Sequence, residues 1–83
     1  VGTGVTFRLF AAARAAAGTA EVQLPGGPTQ QVLERLAADL PPRFGAVLAV
    51  SSLVADGRRL DPTSAELLAG GTVIDVLPPF AGG

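Results

Sequence analysis

The last two residues, Gly82 and Gly83, carry the clearest chemical opportunity in this chain. A glycine carboxylate is the least hindered acyl group a protein can present, and neither residue adds a Cβ to widen the backbone. Such an end fits a narrow channel in another enzyme and offers its terminal carbonyl to a nucleophile or a nucleotide. A frayed end without a role and the remnant of a cut linker are the alternative readings. Ahead of the glycines stand Val76-Leu77-Pro78-Pro79-Phe80-Ala81. The two prolines stiffen this stem in an extended form and hold Gly82-Gly83 away from the body. Phe80 beside them suits anchoring in a partner's groove or folding back over a sheet edge, and the sequence leaves both open.

Other places for chemistry are few. The sequence has no Cys, which excludes disulfides, zinc ribbons, iron–sulfur clusters and thiol nucleophiles. It has no His, the commonest general base and metal ligand, and all six cationic side chains are Arg. The carboxylates Glu21, Glu34, Asp39, Asp56, Asp61, Glu66 and Asp75 form no pair at a helix or strand spacing that suggests acid–base work. They read as solvated surface, with Asp75 at an outward position of a strand. Pro25-Gly26-Gly27-Pro28 lacks the Lys-Ser or Lys-Thr that would follow a phosphate-cradling loop and reads as a turn. No metal site and no bound cofactor are expected.

A formal charge of −1 offers no basic stripe for nucleic acid. No apolar run approaches the roughly 18 residues that a membrane span requires. Arg8 and Arg14 interrupt the opening apolar stretch, unlike a signal peptide, so a soluble cytoplasmic protein is the default expectation. With 83 residues, 48% of them hydrophobic and 16% charged, the chain is one small globular domain rather than a disordered one.

The elements that must position the tail follow from periodicity. Residues 1–4 read as a disordered lead-in. Val5 to Phe10 alternates as a strand, Ala11 to Ala17 is a short alanine-rich helix stopped by Gly18, and Thr19 to Leu24 alternates again. Thr29 is placed to cap the main helix, in which Val32, Leu33, Leu36, Ala37 and Leu40 recur at helical spacing. Pro41-Pro42 stops it. Arg43 to Ala49 is ambiguous, with Phe44, Val47 and Leu48 available as core. Ser52 to Ala55 reads as a strand, Asp56-Gly57 as a tight turn and Arg58 to Leu60 as a short return strand. Asp61 through Leu68 reads as a loop or one helical turn. Thr72 to Leu77 is the last strand, apolar enough to sit mid-sheet. This order predicts an α+β, β-grasp fold: a mixed sheet of four to five strands on one main helix, residues 5–77, with 78–83 as an extended tail. A ferredoxin-like split sheet would need a second full helix.

Leu77-Pro78-Pro79-Phe80-Ala81-Gly82-Gly83 resembles the ending of the MoaD/ThiS family of ubiquitin-like sulfur carriers. The Pro-Pro-x-x-Gly-Gly form is most similar to the molybdopterin synthase small-subunit branch. Phe10-Ala11-Ala12-Ala13-Arg14 with Gly18, Thr29 before Val32-Leu33-Glu34-Arg35-Leu36, and Gly71-Thr72-Val73 resemble the same branch. Only the tail motif is specific.

The resemblance implies that a ubiquitin-activating-type adenylyltransferase uses ATP to adenylate Gly83. A sulfur donor then converts the end to a thiocarboxylate, and the tail of Pro78, Pro79, Phe80, Ala81 and Gly82 threads it into a sulfur-acceptor enzyme such as a molybdopterin synthase large subunit. Phe10 and Leu77 match family positions on the apolar surface that meets partners, and Leu60 is placed with them. The chain is then a protein co-substrate rather than a free-standing enzyme. Phe80 is bulkier than the residue often found there, and Arg58 to Leu68 is longer than this branch suggests. The same acyl chemistry in related carriers feeds cysteine, thiamin, thiosugar or other thio-metabolite synthesis. A ubiquitin-like modifier joined to lysines is the reading from a different class, and a plain interaction module is a third.

Overall fold

In the computed structural model, which describes residues 4–79, a five-stranded mixed sheet lies on three helices. The chain runs β1 (Gly4–Leu9), α1 (Ala11–Ala17), β2 (Glu21–Pro25), β3 (Gly27–Pro28), α2 (Thr29–Asp39), α3 (Pro42–Val50), β4 (Ser52–Ala55), β5 (Arg58–Leu60), β6 (Leu67–Leu68) and β7 (Val73–Leu77). The sheet order is β2-β1-β7-β4-β5, and β3 pairs with β6 in a separate two-stranded ladder. The first and last strands of the chain are parallel neighbours at the centre, and every other pairing is antiparallel. This is the predicted β-grasp arrangement.

Strand alternation builds the core. Val5, Phe7 and Leu9 of β1, Leu53 and Ala55 of β4, and Ile74 and Val76 of β7 all point to the helix side and are buried. Val32, Leu33 and Leu36 of α2 and Phe44 of α3 meet them there, and Ala13, Ala16 and Ala17 let α1 pack closely. Fully burying a large apolar side chain contributes about 1.5–3 kcal/mol, and Phe7, Phe44, Leu36, Ile74, Val5 and Val76 are all under 2% exposed.

Two turns form as their residues dictate. Gly18 ends α1 at φ 77, with its N–H donating to the Arg14 carbonyl. Asp56 (φ 47) and Gly57 (φ 87) both take the left-handed conformations that join tightly paired strands β4 and β5.

Several expectations change. Gly4, assigned to the lead-in, is the first residue of β1 and pairs with Pro25. Arg43 to Ala49 lies within a third helix, α3, which the expectation of one main helix omitted. Pro41-Pro42 both ends α2 and starts α3, because a proline in the first helical turn forgoes only an amide that has no intrahelical partner. α3 packs on α1 and α2 and does not complete a ferredoxin-like fold.

Thr29 does not cap α2. It is the first helical residue, wholly buried, and its hydroxyl donates to the Glu66 carbonyl at 2.8 Å while its N–H donates to the same oxygen at 2.9 Å. That carbonyl belongs to the segment that brings β6 against β3. So Leu67-Leu68 forms a strand, and Gly27-Pro28, expected within a turn, is a strand instead. Gly26 permits the approach, since a Cβ there would stand 2.4 Å from the Leu68 carbonyl oxygen.

Candidate functional site

The tail leaves the body from the middle of the sheet. β7 is held on one side by β1, with Val76 opposite Leu9, and on the other by β4, with Val76 opposite Leu53 and Leu77 opposite Ser52. Its last residue, Leu77, is followed by half-buried Pro78 and exposed Pro79. Phe80, Ala81, Gly82 and Gly83 lie outside the described residues, so the predicted carboxylate and most of the threading segment carry no geometry here. A strand held on both sides up to Val76, and by β4 up to Leu77, gives the stem a fixed point of departure.

Phe10 stands at the same end of the sheet. It follows Leu9, whose side chain points inward, so alternation turns Phe10 outward, and it is 41% exposed. Ala11 then takes φ 49, a conformation that a Cβ disfavours, and swings the chain from β1 into α1 directly after Phe10. Leu77 is 37% exposed. With Leu9 opposite Val76, Phe10 and Leu77 end adjacent parallel strands and bracket the tail exit.

Leu60 does not join them. It pairs with Leu53 across β4 and β5, so both face the helices, and Leu60 is 2% exposed. Its assignment to a partner surface is therefore corrected: it is core. The alternation of Arg58-Arg59-Leu60 is too short to fix a face, and only the register with Leu53 decides it.

Just below the exit, Arg8 and Asp75 face each other across β1 and β7. Arg8 Nε donates to Asp75 Oδ1 at 2.6 Å and Arg8 Nη2 to Oδ2 at 3.1 Å, a fork-to-carboxylate pair. The hydrogen bond and charge of Asp75 hold the Arg8 guanidinium above its ordinary pKa, with Glu21 adding a smaller pull. Asp75 was expected to be an outward strand position, and its side chain does project from the outer face. The ion pair joins the two central strands two residues before Leu77. Away from the exit, Asp61 accepts from the Thr63 N–H and hydroxyl, both at 2.8 Å, which lowers its pKa.

Among the described residues no group of three or more Asp and Glu side chains converges on a possible metal position. No helix among the described residues is long and apolar enough to cross a membrane. The hydroxyl–carboxylate contact between Thr63 and Asp61 lies within one surface loop, and the exposed residues at the tail exit are apolar.

No protein-family model matches the sequence, and no curated protein matches it. Solved structures do. The small archaeal modifier protein 1 (SAMP1) from Methanosarcina acetivorans is 28% identical, with 98% of this chain and 97% of that one covered at a TM-score of 0.78. A putative molybdopterin converting factor subunit 1 from Pyrococcus furiosus is 22% identical, with coverages of 94% and 99% and a TM-score of 0.78. A chain of the complex of subunits 1 and 2 of molybdopterin-converting factor from Helicobacter pylori is 20% identical, covering 96% and 99% at 0.69. Nearly full coverage in both directions means that the whole described domain, from β1 to β7, is shared. The chain has the ubiquitin-like β-grasp fold that these small archaeal modifier and molybdopterin-converting factor structures share.

Proposed function

We propose that the chain is a sulfur carrier whose cargo rides on the Gly83 carboxyl group. The observation that carries this reading is the central strand β7, which runs straight into Pro78-Pro79 beside exposed Phe10 and Leu77. A partner that docks on the apolar pair finds the tail already aimed at it, and the two glycines pass where a side chain would not. The likeness to subunit 1 of molybdopterin-converting factor adds support from an independent direction.

The chemistry is acyl activation. A ubiquitin-activating-type adenylyltransferase joins the Gly83 carboxylate to the α-phosphate of ATP and releases pyrophosphate. Sulfide then attacks the acyl carbon, a C–S bond forms, and the C–O bond to AMP breaks. The product is a C-terminal thiocarboxylate and AMP. The acceptor we favour is the pterin precursor held by a molybdopterin synthase large subunit, to which the tail would deliver its sulfur. Throughout, the chain is a co-substrate, and the nucleotide binds the activating partner.

Intact-mass measurement tests this directly. Incubation with ATP, sulfide and a matching adenylyltransferase should exchange one oxygen for sulfur at Gly83. A chain with its Gly83 end intact that gains nothing from any such activator rules the reading out.

A second reading has its own support, since the solved structure at 28% identity is a small archaeal modifier protein. There the same acyl adenylate passes to a lysine of a target protein instead of to sulfide. Covalent conjugates in cells that vanish on deletion of Gly83 would favour it, and their absence alongside thiocarboxylate formation would favour the carrier alone.

A further inference from the structure

α3 carries two apolar stripes where a surface helix carries one. Phe44, Val47 and Leu48 recur at i, i+3 and i+4 and turn inward, with Phe44 wholly buried and the other two packed against the core. Pro42, Gly45, Ala46, Ala49 and Val50 recur at i, i+3, i+4, i+7 and i+8 on the opposite side. All but half-buried Gly45 are exposed, Val50 to 62%. The one polar side chain of the helix, Arg43, donates from Nε to the Ala16 carbonyl on α1 at 3.2 Å. On the other flank Gly45 and Ala49 form one wall of a groove of about 510 Å³, with Leu33, Glu34 and Ala37 of α2 facing them. A helix apolar on every side belongs in an interior. Gly45 points the same way. A glycine inside a helix lowers its stability, yet a Cβ here would meet nothing within 4 Å. Nothing among the described residues calls for the gap.

We infer that the outer stripe of α3 is covered by α3 of a second copy of this chain, the two helices running antiparallel about a two-fold axis between Val47 and Leu48. That register sets Val50 of each copy over Gly45 of the other, and Ala46 against Ala49. An isologous contact needs one patch that carries both projection and recess. This patch does: the exposed Val50 side chain enters the place where no Cβ stands.

Charge agrees independently. Successive residues turn about 100° around a helix, so Gly45 and Arg43 lie on opposite borders of the stripe, Gly45 toward α2 and Arg43 toward α1. The two-fold axis exchanges the borders, which brings Arg43 of one copy over α2 of the other. There Glu34 makes no ion pair among the described residues. The pairing of Glu34 with the partner's Arg43 then occurs twice. A formal charge of −1 gives two copies little mutual repulsion. The contact is small, because a nine-residue helix is only about 13 Å long, and the dissociation constant should be on the order of 100 µM. The outer face of the sheet lies on the far side from α3, so the dimer leaves it open. The inference stands apart from the chemistry proposed for the chain end, and either can fail alone.

Sedimentation equilibrium of the full chain from about 10 µM to about 1 mM should show a reversible monomer–dimer exchange in this range. Gly45→Leu meets no atom of its own chain and favours the helix, so it should melt no earlier than wild type while weakening the dimer at least tenfold. Val50→Glu should do the same to the dimer and leave the fold intact, since its side chain is already exposed. Glu34→Arg and Arg43→Glu should each weaken the dimer about threefold. An equimolar mixture of these two should restore it, because each cross-pair then joins opposite charges. Leu67→Glu, at a 71% exposed apolar position on β6, should change nothing. A wild-type chain that stays monomeric at the highest concentration overturns the inference. So does a dimer that survives both Gly45→Leu and Val50→Glu, which would lie on another face. A Leu67→Glu loss as large as that of Val50→Glu also overturns it, by showing unspecific apolar association.

Discussion

The two faces of β7 do opposite work within five residues. On the helix side Ile74 and Val76 are wholly buried among Phe7, Leu53 and the helices. On the outer side Val73 and Asp75 are half-buried and Leu77 is exposed. The inner face fixes where the strand lies; the outer face is what a partner can touch. A tail that must be presented at a constant place and yet remain available needs both properties in one strand, and alternation supplies them without a separate element.

Breaking the inner face should have the larger effect. Ile74→Ala removes a wholly buried side chain between two neighbouring strands and should lower unfolding stability by about 2–5 kcal/mol. Chemical denaturation reads it. A loss under about 1 kcal/mol would mean that the centre of the sheet tolerates a cavity, and the division of labour between the faces would fall with it.

Breaking the outer face should cost affinity instead. Leu77→Asp puts a charge on the exposed apolar pair and, on the function proposed above, should weaken binding of the proposed adenylyltransferase or acceptor enzyme at least tenfold, as titration calorimetry would show. Its stability should stay within about 0.5–1 kcal/mol of wild type, because Leu77 is already 37% exposed. A variant that unfolds yet binds normally when folded would reverse the roles assigned to the two faces.

The same contrast explains what was legible in the sequence. Elements with long, one-sided patterns were: β1 from Val5-x-Phe7-x-Leu9, α2 from its apolar stripe, and β7 from its near-continuous apolar run, which gave the central parallel pair. Elements whose signal lies in a partner were not. Leu60 reads as surface until Leu53 is seen opposite it. β3 and β6 have two residues each, too few for any period, and exist because Gly26 lets the backbones meet. Thr29 looks like a cap by residue type, and only the Glu66 carbonyl, 37 residues on, gives it another role. α3 was masked by Gly45, two β-branched valines and an apolar composition with little asymmetry, so its helical start at Pro42 looked only like the stop of α2. At the candidate site, Phe10 and Leu77 were named from the family resemblance alone, and both side chains are exposed. The Arg8–Asp75 pair was not legible, since it depends on the parallel register of strands 67 residues apart.

That ion pair is the next way to sharpen the comparison. It lies on the outer face, with the Arg8 side chain 52% and the Asp75 side chain 24% exposed. Asp75→Asn keeps the shape and removes the charge, so the loss should be about 0.5 kcal/mol and should shrink as salt rises toward 1 M. A loss as large as that of Ile74→Ala, or one insensitive to salt, would mean that the outer face anchors the strand too.

The smallest effect separates a carboxylate that bridges strands from one that serves only its own loop. Asp61 is held ionised chiefly by the Thr63 N–H and then by the Thr63 hydroxyl, so its pKa in the folded chain lies below the ordinary carboxylate value. A lowered folded pKa contributes stability above the unfolded value, and this is lost as the pH falls through the folded one. Wild type should therefore lose stability through that acid window, and Asp61→Asn should lose less over the same window while being slightly less stable near neutrality. Because hydrogen bonds to neighbouring atoms rather than a distant charge set the shift, salt should change it little, in contrast to Asp75→Asn. Denaturation midpoints measured from pH 6 downward at low and high salt compare the two. If Asp61→Asn follows the wild-type acid limb throughout, the loop carboxylate contributes nothing through its Thr63 contacts.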